Sequence, residues 1–163
     1  MHIELKAPLS EKELMKLKVG DKVFIRGKIL VARDLAHQKM VKKAPVDLNG
    51  SIIYYASPTP RPPHHIIGSI GPTTATRMDA FTPALIKKGV KVTIGKGKRS
   101  PAVVAGSVYL VVPGGVAALL SKSIIATRVL AYPELGSEAL QEIEVVDFPA
   151  IVGIDMKGRS IFK

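Results

Sequence analysis

A chain of 163 residues, 47% hydrophobic with a mean hydropathy of +0.22, has ample apolar material for one core and is far from a disordered composition. Zero cysteines exclude disulfides, a thiol nucleophile and an iron–sulfur cluster held by this chain's own thiolates. Lys and Arg number 24 against 13 Asp and Glu, a net charge of +11, and between Asp79 and Glu134 there is no acid but eight basic residues, so this section should attract anions: nucleic acid, a small polycarboxylate or an acidic protein surface.

The opening "MHIELKAPLSEKEL" holds no apolar run of signal-peptide length, and a cytoplasmic chain is expected. Ser10 and Glu13 form a capping box that predicts a short helix running to Lys18, after which "VGD" turns the chain. "KVFIRGKILVARD" alternates as one long strand or two short strands bent at Gly27, and "LAHQKMVKK" reads as a helix with Asp34 as its N-cap. Arg33 and His37 then lie four apart, near one helix face. "GSIIYYAS" is β-branched and aromatic, hence a buried strand. Residues 57–72 carry five prolines, a stiff, non-helical segment that delivers the chain to Thr73 in a nearly fixed conformation.

A polar helix start follows at Thr73. Thr82 and Pro83 then read as N-cap and first residue of a helix stopping at Gly89. "VKVTI" is a strand that runs into "GKGKRS", and "AVVAGSVYLVV" offers one or two more. Residues 102–120 are uncharged and approach the ~20 residues of a membrane span. "VPGG" splits them, so they read as a buried strand and a Gly-led helix with no membrane crossing. "SIIATRVLAYPEL" is extended, and the last strands break at Pro149 and turn at Lys157 and Gly158. Many strands among short helices imply an α/β fold with one mixed central sheet flanked by short helices, as a single domain over residues 1–163.

Four places could carry chemistry. In "GPTTATRMD", Thr73 and Thr74 after Pro72 offer backbone N–H groups and hydroxyls at a helix start with Arg77 one turn on, an anion site or simply a well-capped surface helix. "IGKG" sets Lys96 between Gly95 and Gly97 after a strand. The glycines allow close backbone approach to a ligand, although a plain turn with a solvated lysine explains the pattern as well, and the spacing is not that of a Walker A loop. Arg33 falls at a strand end, where ligands of open α/β sheets bind, or it pairs with a neighbouring acid. His37 reads as a structural hydrogen-bonder. His64 and His65 lack a third metal ligand, and "PGGVAALL" favours tight packing over anion binding.

Taken in order along the chain, "ILVARDLAHQK", "SIIYYASPTP", "IGPTTATRMD", "TIGKG", "VPGGVAALL" and "ELGSEALQEIEVVDFPAIVGIDMKG" resemble the class I, iron–sulfur-dependent fumarate hydratases. The likeness is to their β subunit, equivalent to the C-terminal domain of single-chain forms, and extends to the L-tartrate dehydratase β subunit. Thr76 stands where the common family version has Gly. The resemblance implies a swivelling β/β/α domain and reversible hydration of fumarate to L-malate. It also implies a partner α subunit bearing a [4Fe–4S] cluster on three cysteines, in an α2β2 heterotetramer. Carried over by position, Thr73 resembles the catalytic base, and Arg33, Arg77 and Lys96 resemble the groups that bind substrate carboxylates; Thr74, Gly95, Gly97 and His37 are candidates for supporting roles, and no metal ligand is expected here. A nucleic-acid-binding module is the rival reading of the charge, and the absence of Trp and of interleaved basic and aromatic residues argues against it.

Overall fold

The computed structural model of the protein describes residues 3–112 and 117–162. Strand β1 (Ile3–Lys6) leads to helix α1 (Glu11–Leu14), whose start is the expected capping box: Ser10 Oγ accepts from the Glu13 N–H at 3.3 Å and Glu13 Oε2 from the Ser10 N–H at 2.8 Å. The helix stops short of Lys18 because the Asp21 carboxylate takes the Lys18 N–H at 2.8 Å and draws the chain into a turn. Strand β2 (Lys22–Val31), helix α2 (Asp34–Lys42), strand β3 (Ile52–Tyr54), helix α3 (Thr82–Lys87) and strand β4 (Val92–Gly95) follow. Beyond them come strand β5 (Val108–Val111), helix α4 (Ala117–Ser121), strand β6 (Ile124–Ala131) and strand β7 (Leu140–Ile154), with 3-10 turns at Ala75–Met78, Pro101–Val104 and Pro133–Glu138. The first half of "AVVAGSVYLVV" is thus a 3-10 turn opened by Pro101, and only its second half is a strand. The Gly114–Gly115 start expected for the following helix lies outside the described residues.

The seven strands run β1-β2-β3-β4-β5-β7-β6, with β1 to β5 parallel to their neighbours and β7 antiparallel to β5, β6 and β2. Because β7 bonds both β5 and β2, the ring β2-β3-β4-β5-β7 closes on itself. No strand break occurs at Pro149. Between its pairing with β6, which ends at Val145, and with β5, which begins at Ile151, β7 is laddered to β2 alone, and a residue without an N–H is tolerated on the open side. The bend expected at Gly27 is a bulge: Ile25 faces Phe148 and Gly27 faces Val145, with Gly27 at φ +98° and Asp147 at φ +52°.

Period-2 alternation sorts the core into two apolar layers. Ile52 and Tyr54 of β3 point to a cluster with Ile25 of β2 and Ile143 and Phe148 of the antiparallel β7, whereas Ile53 and the following Tyr55 join Ala36, Met40 and Leu85 under α2 and α3. Antiparallel strands, parallel strands and helices therefore form three layers, the swivelling β/β/α arrangement. Each fully buried side chain of this kind contributes about 1.5–3 kcal/mol.

Candidate active site

Strands β2, β3 and β4 are parallel, so their C-terminal ends open on one edge, where ligands of α/β sheets are met. Arg33 follows β2 and Lys96 follows β4. The Pro-rich segment leaves after β3 and returns through an antiparallel bridge of Ala56 with Pro72, which sets Thr73 on the same edge. There the Thr73 N–H donates to the Tyr55 carbonyl (2.8 Å), the Lys96 N–H to the Thr73 carbonyl (3.1 Å) and the Ala75 N–H to the Lys96 carbonyl (2.9 Å). "TTA" and "GKG", 22 residues apart in sequence, are thus one short parallel pairing, bridged Thr74 to Lys96.

Gly95 makes that pairing possible. A Cβ there would lie 2.8 Å from Tyr55 Cδ2, 3.2 Å from the Ala75 Cβ and 3.3 Å from the Thr73 carbonyl, so its absence allows the close approach of Thr73–Ala75. Gly97 serves the turn through a φ of +90°, with nothing within 4 Å of its Cβ direction.

The Thr73 hydroxyl accepts from Arg77 Nη1 at 3.3 Å. Arg77 Nη2 lies 3.0 Å from Asp34 Oδ1, a close ion contact without hydrogen-bond alignment. Asp34 is accordingly no N-cap: Arg33 holds that position, and the Asp34 carboxylate turns from the first helical turn toward Arg77. Arg33 forms no ion pair among the described residues, and its Nε is buried without a partner. Such a donor costs about 1–3 kcal/mol unless an acceptor meets it. Lys96 is exposed and carries no ion pair among the described residues.

Two expectations for the threonine-rich turn are corrected. It is a four-residue 3-10 turn whose Ala75 and Met78 are buried, and two of its N–H groups, those of Thr73 and Ala75, are used by backbone carbonyls. Thr74 stands at the N-cap position but makes no capping bond.

His37 is buried, with Nδ1 2.7 Å from the Arg33 carbonyl, against the rings of Tyr55 and Phe81. Burial pushes its pKa down to about 4 despite that hydrogen bond, so the ring is neutral near pH 7 and Nδ1 carries the proton toward the carbonyl. His64 and His65 are exposed in the Pro-rich loop, and no group of three His, Cys, Asp or Glu side chains is arranged for a metal among the described residues.

The acid-free section is less of a free cationic surface than its composition implies. Lys91 pairs with Glu11, Arg128 with Glu142 and Arg99 with Asp79. Arg99 is the residue that sequence reasoning missed: it reads as one more charge in "GKGKRS", yet its side chain is wholly buried beneath the site. No local pattern separates it from Lys98. Only Asp79, the last acid before the long basic section, hints at a partner.

Arg33, Arg77, Lys96 and the Thr73 hydroxyl on the strand-end edge of a β/β/α domain make a candidate site for an anion. The whole chain, residues 1–163, matches the family described as Fumarase C-terminus, and it belongs to that family. It is 39% identical to fumarate hydratase 2 of Leishmania major over 98% of its length and 36% identical to the aerobic class I fumarate hydratase of Escherichia coli K12 over 100%, while spanning only 31% and 32% of those proteins. A provisionally named L(+)-tartrate dehydratase subunit beta of Methanocaldococcus jannaschii is 41% identical over 95% of this chain, which covers 88% of that relative.

Proposed function

We propose that this chain is the β-type half of a class I hydro-lyase that interconverts fumarate and L-malate in the cytoplasm, completed by an α subunit in an α2β2 heterotetramer. The observation that carries this reading is the Thr73 hydroxyl 3.3 Å from the Arg77 guanidinium, on a backbone pairing that sets Lys96 beside it. Removing a proton next to a carboxylate builds a dianionic enolate-like species, and fixed positive charge must stand where that charge develops. Arg33, Arg77 and Lys96 supply it by binding the two carboxylates. In malate dehydration Thr73 takes the proton from C3 and hydroxide departs from C2. A threonine hydroxyl is a poor base in water, and Arg77 favours its deprotonated form.

The iron–sulfur cluster that the resemblance implies does not fit this chain, since cluster irons are held by thiolates and the chain has no cysteine. It is assigned to the partner. Anaerobic co-purification with a cluster-bearing α subunit, followed by assays on malate, tests the reading. Malate turnover should need both subunits, and full turnover by the α subunit alone would overturn it. The subunit-length match to the tartrate dehydratase relative supports a second substrate, L-tartrate, to be assayed in parallel. The ion pairs of Lys91, Arg99 and Arg128 weaken the nucleic-acid alternative.

A further inference from the structure

Arg99 lies three residues past Lys96, and its side chain folds back under the site with 0% exposure. All five of its N–H donors have partners. Nε and Nη2 reach Asp79 Oδ1 at 3.0 and 2.6 Å, Nη1 reaches the Tyr55 hydroxyl at 3.2 Å and Thr93 Oγ1 at 3.3 Å, and Nη2 reaches Thr82 Oγ1 at 3.1 Å. The guanidinium carbon lies over two rings, 5.3 Å from the Tyr55 centroid and 4.9 Å from that of Tyr109. Burial opposes the charge, but Tyr55 and Asp79 more than offset it, and the Arg99 pKa is raised.

Three of these neighbours, Asp79, Tyr55 and Tyr109, are tied to the site. Asp79 closes the 3-10 turn that carries Arg77. The Tyr55 carbonyl holds the Thr73 N–H. The Tyr109 hydroxyl donates to the Gly97 carbonyl at 2.7 Å, the inner anchor of a turn whose outer side is open. A lysine between two glycines would otherwise hang on soft backbone.

We infer that Arg99, acting with Asp79, Tyr55 and Tyr109, is the positioning residue of this site, a buried hub that fixes the Lys96 turn and the Thr73–Arg77 turn relative to each other. It touches no substrate, and its charge is neutralised by Asp79. The inference rests on the proposed dicarboxylate reaction for its functional consequence, but the mechanical tie can be measured without it.

Tyr109→Phe removes only the hydroxyl that holds Gly97 and keeps the ring over Arg99. In the assembled enzyme it should lower kcat/KM for malate by about tenfold, mainly through KM, as expected when a binding group is loosened. In a Lys96→Ala background the same change should cost less than about twofold, because the group it positions is gone. Arg99→Lys keeps the charge without the fork and should not rescue. Fully additive losses in the double variant, or wild-type KM in Tyr109→Phe, would overturn the positioning role. Amide hydrogen exchange on the full chain reads the tie itself: Lys96 and Ala75 should exchange about tenfold faster in Tyr109→Phe. Unchanged protection overturns the inference whatever the activity, whereas faster exchange with Lys96→Ala fully active supports the hub and counts instead against the dicarboxylate reading.

Discussion

At Thr73, oxygen and shape can be separated. Thr73→Val keeps the volume and removes the oxygen that Arg77 approaches, and malate turnover in the assembled enzyme should fall by about 10²–10⁴-fold, while Thr73→Ser retains part of it. Exchange of the malate C3 hydrogen with solvent deuterium is the deciding measurement, and a folded Thr73→Val exchanging at the wild-type rate would remove Thr73 as the base. Arg33 calls for a different pair of variants. Its buried, unpartnered Nε points to geometry as well as charge, so Arg33→Lys should lose nearly as much kcat/KM as Arg33→Ala, since an ammonium cannot reproduce a two-pronged carboxylate contact. His37 gives a prediction about stability. The unfolded chain protonates this ring below an ordinary pKa of 6.5, the folded one only near 4, so the unfolded state binds more protons in between and stability falls as pH drops through that window. Between pH 6.5 and 4.5 the loss attributable to His37 should be about 2–3 kcal/mol. Denaturant titrations at the two pH values check it: His37→Phe should show a correspondingly flatter dependence, and an equal slope in both proteins would reject the assignment.

Among the elements, the pairing of "TTA" with "GKG" is the joint on which the site depends. Gly95→Ala places a methyl 2.8 Å from the Tyr55 ring and 3.2 Å from the Ala75 Cβ, so either the ring moves or the pairing opens. The change should lower stability by about 1–3 kcal/mol and reduce kcat/KM together, read from thermal melts and malate kinetics. Wild-type values of both would show that the neighbours yield freely. This joint also marks the limit of what the sequence discloses. The helix at Ser10 and the strands around Ile53 and Thr93 follow from a cap and two-residue alternation, which are local properties, whereas the expected Thr82 cap is corrected: Phe81 holds the N-cap position of α3, and Thr82 lies inside the helix with its hydroxyl donating to the Met78 carbonyl at 2.8 Å. The family motif supplied Thr73, Arg77 and Lys96 as positions, but nothing local says that the Thr73 carbonyl accepts from the Lys96 N–H, or that Arg99 is buried while Lys98 beside it is not. Pairings across 22 residues are settled by packing. The same cause explains the misreading at Pro149, where one strand continues because its open side requires no donor.

For the whole molecule, both faces of the parallel sheet are filled from within the chain. Ile25, Phe148 and Ile143 cover one face, and Met40, Leu85 and Met78 cover the other. Burial on this scale offsets chain entropy without borrowed surface, which separates folding from activity. The cationic groups of the site, by contrast, stand at an edge: Lys96 is exposed, and Arg77 is half exposed and, among the described residues, pairs with Asp34 alone. A site left so open does not exclude water, and charges there act weakly until a second surface covers them. Folding therefore should not require the α subunit, whereas chemistry should. The chain purified alone is expected to melt in one cooperative transition, to be colourless and to leave malate unchanged; titrating in the cluster-bearing α subunit under anaerobic conditions should bring turnover up to a plateau at one chain per α subunit. A chain that binds iron stoichiometrically by itself, dehydrates malate unaided, or melts without a transition until the partner is added would contradict this division between a self-sufficient core and a shared site.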